Sequence, residues 1–256
     1  MTTVVFTNQK GGPGKTTLSV LFAHWLVDKQ GQRVCVVDLD SQRNASKTLV
    51  SFACVTEAAQ LFGDAPIECV ADGALTLVPG SPGLVDIERG APEKVLPAFR
   101  RQLAVLAQRF DVVVIDTPPA LGLRMSAALM AGTHVVCPIE LEEYSIDGVT
   151  DMLKTVFGIR KRYNPGLALL GLVANRFNPH STRQRETLAR LFEEHAAHVV
   201  RAKISTRSAI PEALAAGVPV WRLSKTAARE ASAEVFAVFD LLWAKLRAGE
   251  SMEAAA

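Results

Sequence analysis

The feature that most restricts the fold is the run over residues 2–31. An apolar, strand-like segment, TVVFT, passes through the turn NQKGGPGK straight into TTLSVLFAHWLVDKQG, whose apolar residues recur at helical spacing. A strand that hands over to a helix through glycines is the opening of a βαβ unit, and Gly31 stands where a helix C-cap belongs. The same geometry turns backbone N–H groups and a helix N-terminus toward one point, which favours an anion.

The rest of the chain repeats that alternation. Strand-like runs occur at 2–8, 33–40, 75–80, 111–118, 134–140, 167–176 and 198–204, and several are apolar throughout, as strands buried on both faces require. The expected fold class is α/β: a doubly wound, mostly parallel sheet flanked by helices, with its site at the carboxyl ends of the strands. Residues 1–248 read as a single domain, closed by an amphipathic helix over 232–249, and 249–256 as a disordered tail. Residues 41–100, rich in Gly, Pro and Ala, give no clear helix pattern. With 49% hydrophobic residues in 256, a sizeable core can form. A net charge of +2 excludes a uniformly basic surface but not a local basic patch. Cys35, Cys54, Cys69 and Cys137 show no metal-like spacing, which predicts a reduced, cytoplasmic protein without a disulfide framework. The strand beginning almost at Met1 leaves no room for a signal peptide, and no apolar run is long enough to span a membrane.

The glycine turn carries its own chemistry. Gly11, Gly12 and Gly14 let the backbone approach phosphates, Lys15 reaches the β- and γ-phosphates, and the Thr16 hydroxyl suits Mg2+. The usual G-x-x-x-x-G-K-[ST] spacing is not met, because Gln9 holds the first glycine position; KGGPGKT is a shorter, lysine-led form. Two further strand ends carry acids. Asp116 closes DVVVID, and Asp38 and Asp40 lie two apart on one side of VVDLDSQRN. Such acids either hold Mg2+ or cap the helix that follows.

With these motifs the chain resembles the deviant Walker A, or ParA/MinD, ATPases. The resemblance implies a nucleotide loop of Gly11, Gly12, Pro13, Gly14, Lys15, Thr16 and Thr17 that binds ATP with Mg2+. It implies that Lys10 crosses a homodimer interface to the phosphates of the other subunit, acting like an arginine finger. Thr16, Asp38 and Asp116 are then the metal-side residues, and Asp40 positions the attacking water, so that Lys10, Lys15 and Asp40 form the catalytic set. Where the family shows D-x-D-P-Q-G-N, this chain has Ser41 for the proline and Arg43 for the glycine, which implies a looser loop. Asn175 and Pro211, with Glu212, match positions near the base, although a turn asparagine and a helix-start proline explain them equally well. DTPPALGLRMSAALMAG resembles switch II and its dimer-contact helix, and Glu142 and Gly148 occupy recurring positions in a later stretch.

The nucleotide machinery leaves the cargo open. From 176 to 207 the chain holds Arg176, Arg183, Arg185, Arg190, Arg201, Lys203 and Arg207 against Glu186, Glu193 and Glu194. Such an excess suits a face that binds DNA phosphates. Among these, Arg183, Arg185, Arg201, Lys203 and Arg207 are the expected DNA-binding residues, though a further family arginine is replaced by Ala209. The polar face of the final helix mixes Glu234, Asp240, Lys245 and Arg247, unlike a basic membrane anchor. The expectation is a nucleoid-associated partition ATPase of short form, without an N-terminal DNA-reading domain. It binds non-specific DNA as an ATP dimer and is released by a ParB-type centromere-binding or adaptor protein. A MinD-like membrane-positioning ATPase and a nucleotide-gated scaffold with negligible turnover are the alternatives.

Overall fold

The computed structural model of the chain describes residues 2–69, 73–141 and 146–253. Seven strands among these form one sheet: β1 (Thr2–Phe6), β2 (Val34–Asp38), β3 (Leu75–Val78), β4 (Val112–Asp116), β5 (His134–Glu140), β6 (Ala168–Phe177) and β7 (Val199–Ser205). Their order is β3-β2-β4-β1-β5-β6-β7, and every pairing between them is parallel. Each expected strand is present: the first four are shortened by one or two residues at an end, β5 matches its expected bounds, and β6 and β7 are shifted by one residue.

Both faces of the sheet are covered. Alternate residues of the central strands feed opposite cores: Val4, Phe6, Val34, Val36, Val112 and Val114 point one way, and Val5, Cys35, Val37, Val113 and Ile115 the other. The first core is closed by α1 (Lys15–Gln30), α2 (Asn44–Thr48), α8 (Ala209–Ala215) and α9 (Thr226–Glu253). The second is closed by α3 (Leu84–Ile87), α4 (Pro92–Ala107), α5 (Leu123–Ala131), α6 (Ile146–Arg162) and α7 (Thr182–His195). Strands covered twice have no solvent face, which is why their sequences read as continuous apolar runs rather than alternating ones.

α1 ends as its sequence requires. Gly31 is left-handed at φ 64°, and its N–H donates to the Val27 carbonyl. The final helix is longer than expected at both ends. Val235, Val238, Phe239, Leu242 and Leu246 bury its apolar face in the first core, and the helix continues through Gly249 to Glu253. Helix propagation costs little once the preceding turns are anchored, and a glycine there costs only about 1 kcal/mol.

α1 also buries His24, whose Nε2 has no hydrogen-bond partner and whose ring lies edge-on to Phe52. Burial pushes its pKa down to about 4, with Arg222 adding repulsion and Asp28 opposing it. A folded-state pKa below the unfolded value makes the neutral ring a stabilising state that is complete above about pH 6.5 and lost as pH falls toward 4. Denaturant melts between pH 7 and 4 should show an acid loss on the order of 3 kcal/mol from this residue. His24→Leu should remove that part of the pH dependence; an unchanged profile would exclude His24 as its source.

Candidate functional site

Sheet register assembles the site. Phe6 pairs with Asp116, and Asp116 pairs with Asp38, so the carboxyl ends of β1, β4 and β2 finish side by side. The loop after β1 therefore passes directly over two aspartates that lie 78 positions apart in the chain.

That loop is shaped by glycines and braced from β6. Gly12 and Gly14 have φ of 92° and 91°, in the left-handed region that side chains disfavour. A Cβ on Gly14 would stand 2.1 Å from the Asn175 amide nitrogen. That nitrogen donates to the Pro13 carbonyl at 2.9 Å, so Asn175 clasps the loop, and it also lines a cavity beside it. Asn8 accepts the Lys10 N–H at 2.9 Å. The Lys15 ammonium turns inward and donates to the Lys10 carbonyl at 3.0 Å. Burial lowers the Lys15 pKa, opposed by the charges of Asp116 and Asp40.

Below the loop the acids divide the work. Thr16 Oγ1 donates to Asp116 Oδ2 at 2.6 Å, while Asp116 Oδ1 is buried without a partner. Burial, with the neighbouring Asp38 charge, raises the Asp116 pKa well above the ordinary carboxylate range. Asp38 is also raised by burial. Its two oxygens are already occupied: Oδ1 accepts the Asp40 N–H at 3.0 Å, and Oδ2 accepts the Ser46 N–H at 2.9 Å and the Ser46 hydroxyl at 2.6 Å. Asp38 thus staples the loop that carries Asp40. The one carboxylate oxygen here that the fold leaves without a partner is Asp116 Oδ1, buried beside the Thr16 hydroxyl, whereas both oxygens of Asp38 already accept hydrogen bonds. Asp40 is largely buried, and its Oδ1 accepts the Gln42 N–H at 2.9 Å.

A cavity of about 510 Å3 lies over these groups. Gly11, Gly12, Gly14, Lys15, Thr16, Thr17 and Asp40 line it, with Gln42, Lys47 and Arg176, which the sequence motifs did not single out. A second cavity of about 330 Å3 is lined by Thr17, Asn175, Arg176, Arg207 and Pro211. An unpartnered buried carboxylate oxygen beside a hydroxyl fits Mg2+, and a glycine cradle with Lys15 fits phosphates. Lys47 was hidden because a lysine on the short helix α2 has no spacing that marks it, and Arg176, counted only among the basic residues of 176–207, because a strand-end arginine has none.

The basic residues divide into two groups. Arg183 and Arg185 are exposed on α7, and Arg201 and Lys203 are exposed two apart on β7, on the sheet side that α7 covers. Lys203 sits 4.8 Å from the Phe177 ring. None of these four has an ion pair among the described residues. Arg207 differs. Its guanidinium is held by Glu230 and by Glu234, the latter at 2.8 Å, so its charge is balanced within the fold. Lys10 is exposed at the rim of the loop. Glu142 lies outside the described residues.

Comparison with known proteins agrees with this geometry. The AAA domain family matches residues 1–169. The chain is 40% identical to Protein IncC of Escherichia coli over 257 residues, covering 96% of this chain and 70% of that protein. It is 33% identical over 194 residues to the chromosome-partitioning ATPase Soj of Thermus thermophilus, covering 73% of this chain and 74% of that protein. The solved structure of the Cyanothece McdA(D38A)–ATP complex superposes with a TM-score of 0.82 over 96% of both chains, at 20% identity, which speaks for the fold. A chain with a lysine-led phosphate loop on an all-parallel sheet, and with partition ATPases among its relatives, belongs to the ParA-type family of deviant Walker A ATPases.

Proposed function

We propose that this ATPase is an Mg2+-dependent dimeric switch that partitions DNA or positions a large cargo over the nucleoid. The observation that carries the reading is the Lys15 ammonium resting on the Lys10 carbonyl, above a Thr16–Asp116 pair with one carboxylate oxygen unpartnered. That arrangement supports a loop poised to exchange an internal hydrogen bond for phosphate contacts.

The residues divide the work as follows. Lys15 turns from the Lys10 carbonyl to the β- and γ-phosphates, which unties the segment that carries Lys10. Lys10 then reaches the phosphates of a second subunit, so that dimerisation depends on ATP in both copies. Mg2+, when bound, screens phosphate charge against Asp116 and Thr16. Asp40, held by the Asp38–Ser46 staple, orients the attacking water. Asn175 keeps the loop closed from below, and Thr17, Arg176 and Pro211 line the space for the base and ribose.

Arg183, Arg185, Arg201 and Lys203, doubled in the dimer, support binding of DNA phosphates without sequence preference. A ParB-type or adaptor partner would stimulate turnover and release. The rival membrane-anchored reading is disfavoured because α9 spends its apolar face on the core, from Ala231 to Leu246. No helix of the described residues is long and apolar enough to cross a membrane.

Lys15→Ala should abolish ATP binding in a fluorescent-nucleotide titration. Lys10→Ala should keep binding within about threefold yet stay monomeric with a non-cleavable ATP analogue in light scattering, since the cation it removes acts in trans. A dimeric Lys10→Ala protein would sink the trans role. Asp40→Ala should retain ATP and dimerise while phosphate release falls about 100-fold or more; turnover at the wild-type rate would remove Asp40 from the chemistry. ATP-dependent DNA binding in gel shifts should weaken with salt at a log–log slope of roughly −4 or steeper, and Arg201→Ala should flatten that slope by about one or two. A flat salt response would remove the DNA claim.

A further inference from the structure

Arg124 occupies a place that neither the motif pattern nor the phosphate loop explains. It is the second residue of α5, the helix that follows the Asp116 loop, and its side chain is only 10% exposed. Its guanidinium makes two different contacts. Nε donates to Glu88 Oε1 at 2.7 Å, and Nη1 donates to the Leu39 carbonyl at 2.9 Å. Glu88, which follows α3, does more than neutralise it. Its Oε2 accepts the Leu123 N–H at 2.6 Å, so a carboxylate from 35 positions away caps α5, whose own N-cap position, Gly122, offers no side chain. A Cβ on Gly122 would lie 2.2 Å from Glu88 Oε2, so only glycine admits this approach.

Leu39 is the residue between Asp38 and Asp40. Its N–H donates to the Asp116 carbonyl at 2.9 Å, and its carbonyl is the one Arg124 holds. The peptide groups on either side of Leu39 are therefore fixed to the metal-side strand end and to α5. An aliphatic pair would fill the same volume with equal or better stability, because a buried ion pair seldom repays its desolvation. What an aliphatic pair cannot do is hold a backbone carbonyl and a helix cap at once. A guanidinium, with donors on separate edges, can.

We propose that Arg124, locked in place by Glu88, is a positioning residue for ATP hydrolysis: it holds the Leu39 carbonyl, and so the Asp40 loop, in register with α5. The inference rests on the ATPase reading of the same site and adds a link between two of its segments, the loop after β2 and the helix after β4. A force applied to α5 reaches Asp40 through one side chain. Among the described residues no hydrogen bond or ion pair joins the phosphate loop to the clamp, so ATP affinity and turnover separate when the clamp is cut.

The test compares Arg124→Met, Arg124→Lys and Glu88→Gln with the wild type, using ATP titration, single-turnover phosphate release and thermal melts. In Arg124→Met, ATP affinity should stay within about threefold while turnover falls about 10- to 100-fold, the scale of a small misplacement of a reacting group. Arg124→Lys, whose single ammonium cannot bridge both acceptors fully, should fall between, and it decides the matter if the Met variant does not fold. Glu88→Gln should slow turnover in the same sense. Arg222→Met removes an ion pair with Asp28 away from the site and serves as the control for stability alone; its turnover should match the wild type. Turnover within about twofold of the wild type in both Arg124 variants would overturn the proposal, as would an equal loss of ATP affinity and turnover. A wild type with no turnover would instead overturn the activity beneath it.

Discussion

The structure depends on a buried carboxylate that the protein alone leaves incompletely satisfied. Asp116 ends a central strand with no solvent access, one oxygen on Thr16 and the other without a partner. Asp38 lies beside it in register, and burial raises both. Two acids in one low-dielectric site cannot both carry full charge without a cation. Lys15 supplies part of that charge from above, at the cost of its own desolvation. A proton supplies the rest in the free protein, so a cation arriving at this site would release it.

The parallel sheet is what brings these charges together. Antiparallel neighbours would send alternate strand ends to opposite edges, whereas here β1, β2 and β4 all finish at one edge. Three loops then share one small volume and have to be kept apart by specific contacts. Asn175 holds the phosphate loop, Ser46 and Asp38 hold the Asp40 loop, and Glu88 with Arg124 holds α5. Asn175 and Glu88 reach in from distant parts of the chain, whereas Asp38 and Ser46 flank the loop they hold. Movement of one loop is therefore felt by its neighbours through hydrogen bonds rather than through general softness.

Legibility followed the same division. Strands buried on both faces, the phosphate loop and Asp116 could be read because periodicity and glycine spacing are local properties. Apart from β3, the segment 41–100 could not, since Leu84–Ile87 packs on the 58–62 turn and α5, and the turns around 50–62 pack on β3 and α4. Side-chain partners were hidden for the same reason. Arg207 looked like a free cation until Glu230 and Glu234, more than twenty residues later, closed on it. Cys54 and Cys69, fifteen apart and without a motif, lie 3.4 Å from one another as free thiols. Asn175 was legible as a site residue, but its grip on the Pro13 carbonyl was not.

The loop after β2 shows why a departure from a family pattern need not loosen a structure. Ser41 and Arg43 replace the residues that usually stiffen this turn, which implies greater freedom. Arg43 instead adopts φ 60°, the left-handed conformation a glycine would take there without strain. For a residue with a side chain that costs about 1–2 kcal/mol, so the turn keeps its shape only because other contacts impose it. Those contacts are at hand: the Arg43 N–H donates to the Asp40 carbonyl, Asp38 holds Ser46, and the Ser46 hydroxyl accepts the Gly80 N–H. The shape of this turn is held by a carboxylate and a serine. The strain remains stored next to Asp40, where the loop is opposed by its own backbone and held by its staples.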